Sequence, residues 1–210
     1  MFVPKHFQES DWIEIRKVIE EHSFATIVSC DAGIPTATHL PLRLVEADGH
    51  AKLQGHVSRA NPHWRLLESG DKTLAIFTGP HSYVSPRWYD HVNVPTWNYI
   101  AVHVYGKPRL VTDADEARLV MKDLVDRYEG ATEAASRYSL EWLPADYLAS
   151  QMKGILAFEI SVDEVQASFK LSQNRSAGDY DNVIAQLNKS PDQNAQAVAE
   201  AMGCLRSKKA

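Results

Sequence analysis

Three prolines within sixteen residues, Pro80, Pro86 and Pro95, most constrain what this chain can fold into. Each fixes φ near −65° and removes a backbone donor, so the stretch Gly79–Tyr99, GPHSYVSPRWYDHVNVPTWNY, is expected to hold neither a long helix nor a central strand. It reads instead as a shaped loop or a series of short turns. Tyr83, Trp88, Tyr89, Trp97 and Tyr99 bring flat apolar faces with polar tips, and His81, Ser82, Ser85 and Asn98 add adjustable donors and acceptors. Two readings stay open: a binding wall, or a loop packed by its own aromatics as a dimer lid.

On either side of this segment the apolar pattern defines regular elements. Trp12, Ile15, Val18 and Ile19 share one face, which predicts a helix from Asp11 to about Glu21 capped by Ser10. Extended segments are expected at Ala25–Cys30, Thr36–Val45, Ala51–Val57 and Thr73–Thr78. Asp31–Gly33 and Asp48-Gly49 read as turns, and Asn61-Pro62 opens a short helix ended by Gly70. Further on, Tyr99–Val111 reads as a long strand bent at Gly106 and Pro108. Thr112 and Asp115 suggest a capping box for a helix carrying Ala117, Val120, Met121, Leu124 and Tyr128 on one face and closed by Gly130.

A short helix at Trp142–Ser150, strands at Ile155–Val162 and Val165–Leu171, and two helical patterns separated by Ser190-Pro191 complete the chain. Roughly six strands with few full crossover helices between them favour a mainly β, antiparallel barrel with peripheral helices over a parallel α/β sheet. The expected division is a barrel domain over residues 1–175 and a helical extension over 176–210.

Several function classes are disfavoured by composition. A formal charge of −5 over 210 residues argues against a chain built to neutralise nucleic-acid phosphates, although LRSKKA ends it with Arg206, Lys208 and Lys209. Two cysteines, Cys30 and Cys204, make neither a disulfide framework nor a paired metal motif, which suits a reducing cytoplasm. No apolar run is long enough to span a membrane, and Met1–Ser10 lacks the apolar core of a signal peptide. The nine histidines show no metal-ligand spacing, and Ser82 and Ser85 near His81 lack a nucleophile elbow, so neither a metal site nor a nucleophile is expected.

Seven motifs in order, MFVPKHF, ATIVSCDAGIPTATHLPL, GHVSRANPHW, GPHSYVSPRWY, VPTWNY, VHVYGKPRLV and KLSQNRS, resemble the PaiB family of FMN-binding negative transcriptional regulators. That family is similar to the pyridoxamine phosphate oxidase group, whose split β-barrels dimerise and bind FMN across the subunit interface. The resemblance implies an FMN-binding homodimer whose direct contact with DNA is doubtful. If the protein is an enzyme, it implies an FMN-dependent oxidoreductase. Haem is a minor alternative, because related split barrels include haem-binding proteins.

Matched by position, the resemblance puts Thr38, His39, Leu40 and Pro41 beside the flavin ring, and Ser58 and Arg59 at its phosphate, with His56 and Asn61 alongside. The chemistry of that dipeptide agrees, since an Arg and a Ser at a strand end before a helix supply a charged fork and a hydroxyl for a phosphate. Ser82, Tyr83, Trp97 and Asn98 are the wall candidates. Thr38 and Ala60 stand where the oxidase pattern has basic residues, which leaves Arg43 and His39 as replacement donors. LSQNR at Leu171–Arg175 closes the cleft by resemblance, or is an ordinary polar turn.

Overall fold

The computed structural model describes residues 1–130 and 138–207, and within them the chain forms two compact units. The first gathers Met1–Val18, Phe77–His103 and the chain from Gln166 onward; the second gathers Ile19–Ile76 and Val104–Val165. Ten strands and six α-helices occur among the described residues, more strands than the pattern suggested. Some of the additional strands are too short to show a period.

In the second unit β2 (Phe24–Asp31) and β3 (Ile34–Pro41) pair antiparallel from Phe24↔Pro41 to Asp31↔Ile34. Their turn has Ala32 at φ 46° and Gly33 at φ 83°, the doubly left-handed geometry that matches strand twist. Asp48 and Gly49, at φ 52° and 77°, join β4 (Arg43–Ala47) to β5 (His50–Ser58) in the same way. The expected continuous strand Thr36–Val45 is therefore two. Leu42 is fully buried and donates its N–H to the Ser23 carbonyl at 2.8 Å, and β4 then pairs with β5 in a second sheet.

Helix α2 (Trp64–Ser69) follows β5, and β6 (Thr73–Val84) begins here beside β2, giving the order β6-β2-β3 with β3 at an edge. Asn61 accepts the His63 N–H at 3.0 Å, so Pro62 sits in the entry turn just ahead of the helix. Gly70 at φ 73° ends it.

The expected strand Tyr99–Val111 is also divided, into β7 (Thr96–Gly106) and β8 (Pro108–Leu110). β8 joins β9 (Ile155–Ser161) in a sheet ordered β4-β5-β9-β8. Helix α3 (Ala114–Glu129) is capped by Asp113, whose carboxylate accepts the Glu116 N–H at 2.9 Å, and not by Thr112. Leu42, Leu53, Phe158 and Ile160, none of them exposed, centre the core, and α4 (Ala145–Lys153) leads into β9. Gly55 is closely packed there, since a Cβ on it would lie 2.8 Å from Leu42 Cδ2, which would have to shift.

In the first unit the order is β1 (Gln8–Glu9), β10 (Glu164–Lys170), β7 and β6. Asp11, not Ser10, caps α1 (Trp12–Glu21), accepting the Ile13 N–H at 2.9 Å. The last helices, α5 (Ala177–Asn188) and α6 (Gln193–Ser207), pack through Val183, Leu187, Val198 and Met202, and the Tyr180 hydroxyl donates to the Met202 carbonyl at 2.7 Å. Lys208 and Lys209 of the basic tail lie outside the described residues.

Pro80 corrects the expectation that no central strand could enter the proline-rich segment, for β6 runs through it as far as Val84. Pairing with β2 stops at Ile76, so at Pro80 the missing N–H costs no bond to that neighbour. Only the stretch between Val84 and Thr96 is irregular apart from a short 3-10 turn at Pro86–Trp88. Among the described residues no helix is long and apolar enough to cross a membrane.

Candidate functional site

Strand alternation divides the expected ring-side residues. Thr38 and Leu40 face inward with their β2 partners Ile27 and Ala25, whereas Ala37 and His39 are exposed on the other face. Leu40 is a core side chain, 5 % exposed, lying near Gly55, and Pro41 is half-buried. The backbone of β3 is at the sheet edge.

Thr38 belongs to a chain of hydrogen bonds with a definite direction. Asn61 Nδ2 donates to Thr38 Oγ1 at 3.1 Å, and Thr38 Oγ1 lies 2.9 Å from His63 Nδ1. Beyond the ring, His63 Nε2 is 3.0 Å from Ser29 Oγ, which is 2.8 Å from Thr73 Oγ1, and Thr73 donates to the Asp71 carbonyl at 3.4 Å. Because Asn61 Nδ2 can only donate and the Asp71 carbonyl can only accept, every hydroxyl is satisfied when Nδ1 accepts and Nε2–H donates. The neutral imidazole is thus the form the network fits, and burial holds His63 below its ordinary range.

This network was not visible in the sequence. Ser29, His63 and Thr73 come from a strand, a turn and another strand, and no local spacing joins them. His63, 1 % exposed, is a satisfied interior histidine.

A pH dependence follows with a definite sign. Between about pH 6.5, where an unfolded imidazole binds its proton, and the lower folded value, the unfolded chain holds more protons, so stability falls as pH falls. His22, His56 and His103 are lowered by burial too and act in the same direction. Denaturant midpoints are expected to drop from pH 7 to 5, with a shallower slope in His63→Gln. At pH 7 His63→Ala is expected to cost about 2–4 kcal/mol by stranding two hydroxyls and opening a cavity.

The phosphate-side candidates sit at the end of β5 in a different condition. Ser58 and Arg59 are exposed; Ser58 Oγ accepts the Ala60 N–H at 3.2 Å, and the Arg59 N–H donates to the Gly154 carbonyl at 2.9 Å. No partner for the Arg59 guanidinium occurs among the described residues. Arg43 is committed elsewhere, to Asp123 Oδ2 at 2.6 Å, so of the two replacement donors only His39 is uncommitted among the described residues. His56 is half-buried on β5, and its Nδ1 is buried without a hydrogen-bond partner among the described residues.

Ser82, Tyr83, Trp97 and Asn98 belong to the first unit, and alternation divides them as well. Tyr83 and Trp97 are exposed and meet edge-to-face with centroids 6.1 Å apart, with His81 beside Trp97. Ser82 and Asn98 face inward. Asn98 is fully buried and spends its Nδ2 on Ser172 Oγ at 3.0 Å, with Ser172 at φ 64°. Gln173 in the same turn accepts the Leu171 N–H, so LSQNR forms a hydrogen-bonded polar turn. The metal-compatible group among the described residues, Asp90, His91 and Asp179, is held by internal bonds: Asp179 accepts from the Asp90 N–H and from Ser176 at the start of α5.

A family model described as "Putative FMN-binding domain" matches residues 1–164. The chain is 41% identical over 202 residues to Protease synthase and sporulation protein PAI 2 of Bacillus subtilis (strain 168), covering 96% of each chain. Among solved structures it is similar to the flavocytochrome Anf3 from Azotobacter vinelandii, with TM-score 0.62 and 15% identity over 85% of this chain and 78% of that one. It is also similar to the FAD and heme binding protein from Mycobacterium smegmatis, with TM-score 0.61 and 19% identity over 85% of this chain and 79% of that one. At such identities the likeness is one of fold, a mainly antiparallel split β-barrel with peripheral helices.

Proposed function

Since the chain belongs to the PaiB family of FMN-binding domains, we propose that it acts as a homodimeric flavin-binding regulator, gripping the FMN phosphate with Ser58 and Arg59 and setting the ring along β3. The observation that carries this reading is the Arg59 guanidinium, unpartnered among the described residues at a strand end beside an exposed serine hydroxyl. A cation without an anion at such a turn is suited to a phosphate monoester. FMN, when bound, supplies electron or hydride transfer.

The protein's own residues bind and orient. The network from Asn61 to Asp71 holds Thr38 and the entry turn of α2 in fixed positions, and the edge of β3 offers backbone donors and acceptors for the polar rim of a flavin. His39 stands outward from the same strand, on the face opposite Thr38. The dimer is supported by the exposed Tyr83 and Trp97 and by the open edge at β3, both of which a second copy would cover.

Regulation without direct DNA contact is the role we assign, supported by the net charge of −5 and by a relative named for protease synthesis and sporulation. The decisive measurement is a fluorescence titration with FMN and with riboflavin. FMN is expected to bind at least about tenfold tighter, because the phosphate contributes charge-assisted bonds. Equal affinity for the two flavins would remove the phosphate grip from the proposal.

A further inference from the structure

A cleft of about 850 Å³ opens within the second unit, a volume typical of small-molecule sites. One wall is helix α4, which turns Ala145, Leu148, Ala149 and Met152 toward it. This is one helical face, spaced i, i+3, i+4, i+7, yet only Leu148 of the four is buried. An apolar stripe that faces a cleft leaves its burial incomplete. Val111, Leu156 and Ala157 line the cleft from the β8–β9 side, and Trp64 lines it from α2.

Its charges are not evenly arranged. Arg59, Arg118 and Lys153 line the cleft, and the hydrogen bond from the Arg59 N–H to the Gly154 carbonyl at 2.9 Å brings the backbones of Arg59 and Lys153 close together. Among the described residues neither the Arg59 nor the Lys153 side chain has a partner. The lining acids Glu68, Asp115 and Glu141 are scattered over three segments, and the Asp113 carboxylate is spent on capping α3. Two cations rooted at neighbouring backbone positions suit one anion better than carboxylates on three separate segments suit an ammonium.

We infer that this cleft is a second ligand site, taking a small organic anion whose apolar body lies along α4 and whose carboxylate or phosphate meets Lys153 and Arg59. The site goes beyond the flavin reading and shares only Arg59 with it. A ligand here would lie at the phosphate end of the flavin grip, which suits an effector.

The test is calorimetric titration of the full chain, without FMN, using octanoate, octanol and octylamine as probes. Octanoate is expected to bind at least about tenfold tighter than octylamine, and Lys153→Glu to weaken it about tenfold. Ala149→Trp, an exposed helix position, is expected to fill the cleft and abolish octanoate binding with circular dichroism unchanged. FMN affinity, titrated separately, is expected to stay within twofold in Ala149→Trp. Octylamine binding as well as octanoate, no octanoate binding, or full retention by Ala149→Trp would each overturn the site. Loss of FMN together with octanoate in Ala149→Trp would assign the cleft to the flavin itself and overturn it too. A wild-type chain that binds octanoate but not FMN would sink the flavin grip and leave this inference standing.

Discussion

Gly106→Ala is expected to lower the melting temperature by at least about 10 °C, or to leave no soluble folded protein, the largest effect expected among the glycines. A Cβ at Gly106 would stand only 1.6 Å from the Ser161 carbonyl oxygen and 2.6 Å from its carbon, contacts with backbone that no rotamer change can relieve. The backbone there is held from both sides. Ser161 N–H donates to the Lys107 carbonyl at 3.1 Å, and Asp163 N–H to the Tyr105 carbonyl at 3.0 Å. Separating the segments breaks bonds that position β8 against β9, and the cost is expected to exceed about 3 kcal/mol. Gly178→Ala is the control, since nothing lies within 4 Å of its added methyl and the residue is in helix α5. It is expected to be neutral or to stabilise by up to about 1 kcal/mol. Thermal unfolding followed by circular dichroism distinguishes them; a Gly106→Ala protein melting within 2 °C of the wild type, on the order of 1 kcal/mol or less, would show that the close approach is not needed.

Arg59→Ala is expected to weaken FMN binding by about 10- to 100-fold while leaving riboflavin affinity and folding stability nearly unchanged. The residue is exposed, its guanidinium has no partner among the described residues, and its structural bond to Gly154 is made by the backbone N–H, which alanine keeps. The wild-type preference for FMN should shrink as salt is raised, because an exposed charge pair is screened. The variant should be salt-insensitive. A loss that falls equally on riboflavin would show that Arg59 shapes the ring pocket and does not hold the phosphate.

Both positions illustrate how far the residues could be read before the fold was known. Gly106 was legible as a bend in a strand, because glycine and proline two residues apart interrupt a β pattern. That the bend moves the chain from one sheet to another was not, since the partner strand β9 lies some fifty residues further on. Arg59 was legible through the order of motifs around it. Its lack of a partner was not, because Arg43, equally cationic in sequence, is paired with Asp123, eighty residues away.

The candidate ring-side residues show the same limit. Thr38, His39, Leu40 and Pro41 read as one group, yet a strand sends alternate side chains to opposite faces, so Thr38 is tied into the interior and His39 is left exposed. Tyr83 with Trp97, and Ser82 with Asn98, are sorted by the same alternation. The proline rule misjudged Pro80 for a related reason: a missing N–H matters only where a neighbouring strand would have used it, and β2 pairs with β6 no further than Ile76.

What the sequence by itself determined was the local grammar and the family: the left-handed turns at Ala32-Gly33 and Asp48-Gly49, the helix faces, the antiparallel class and the ordered motifs of an FMN-binding split barrel. These depend on backbone sterics and on periodicity, which act over a few residues. The tertiary structure alone decided which polar groups are spent and which are spare, from His63 locked between Thr38 and Ser29 to the cations beside the α4 cleft, unpaired among the described residues. A hydrogen bond or ion pair depends on distances of about 3 Å between atoms far apart in the chain, and only the folded path sets those distances.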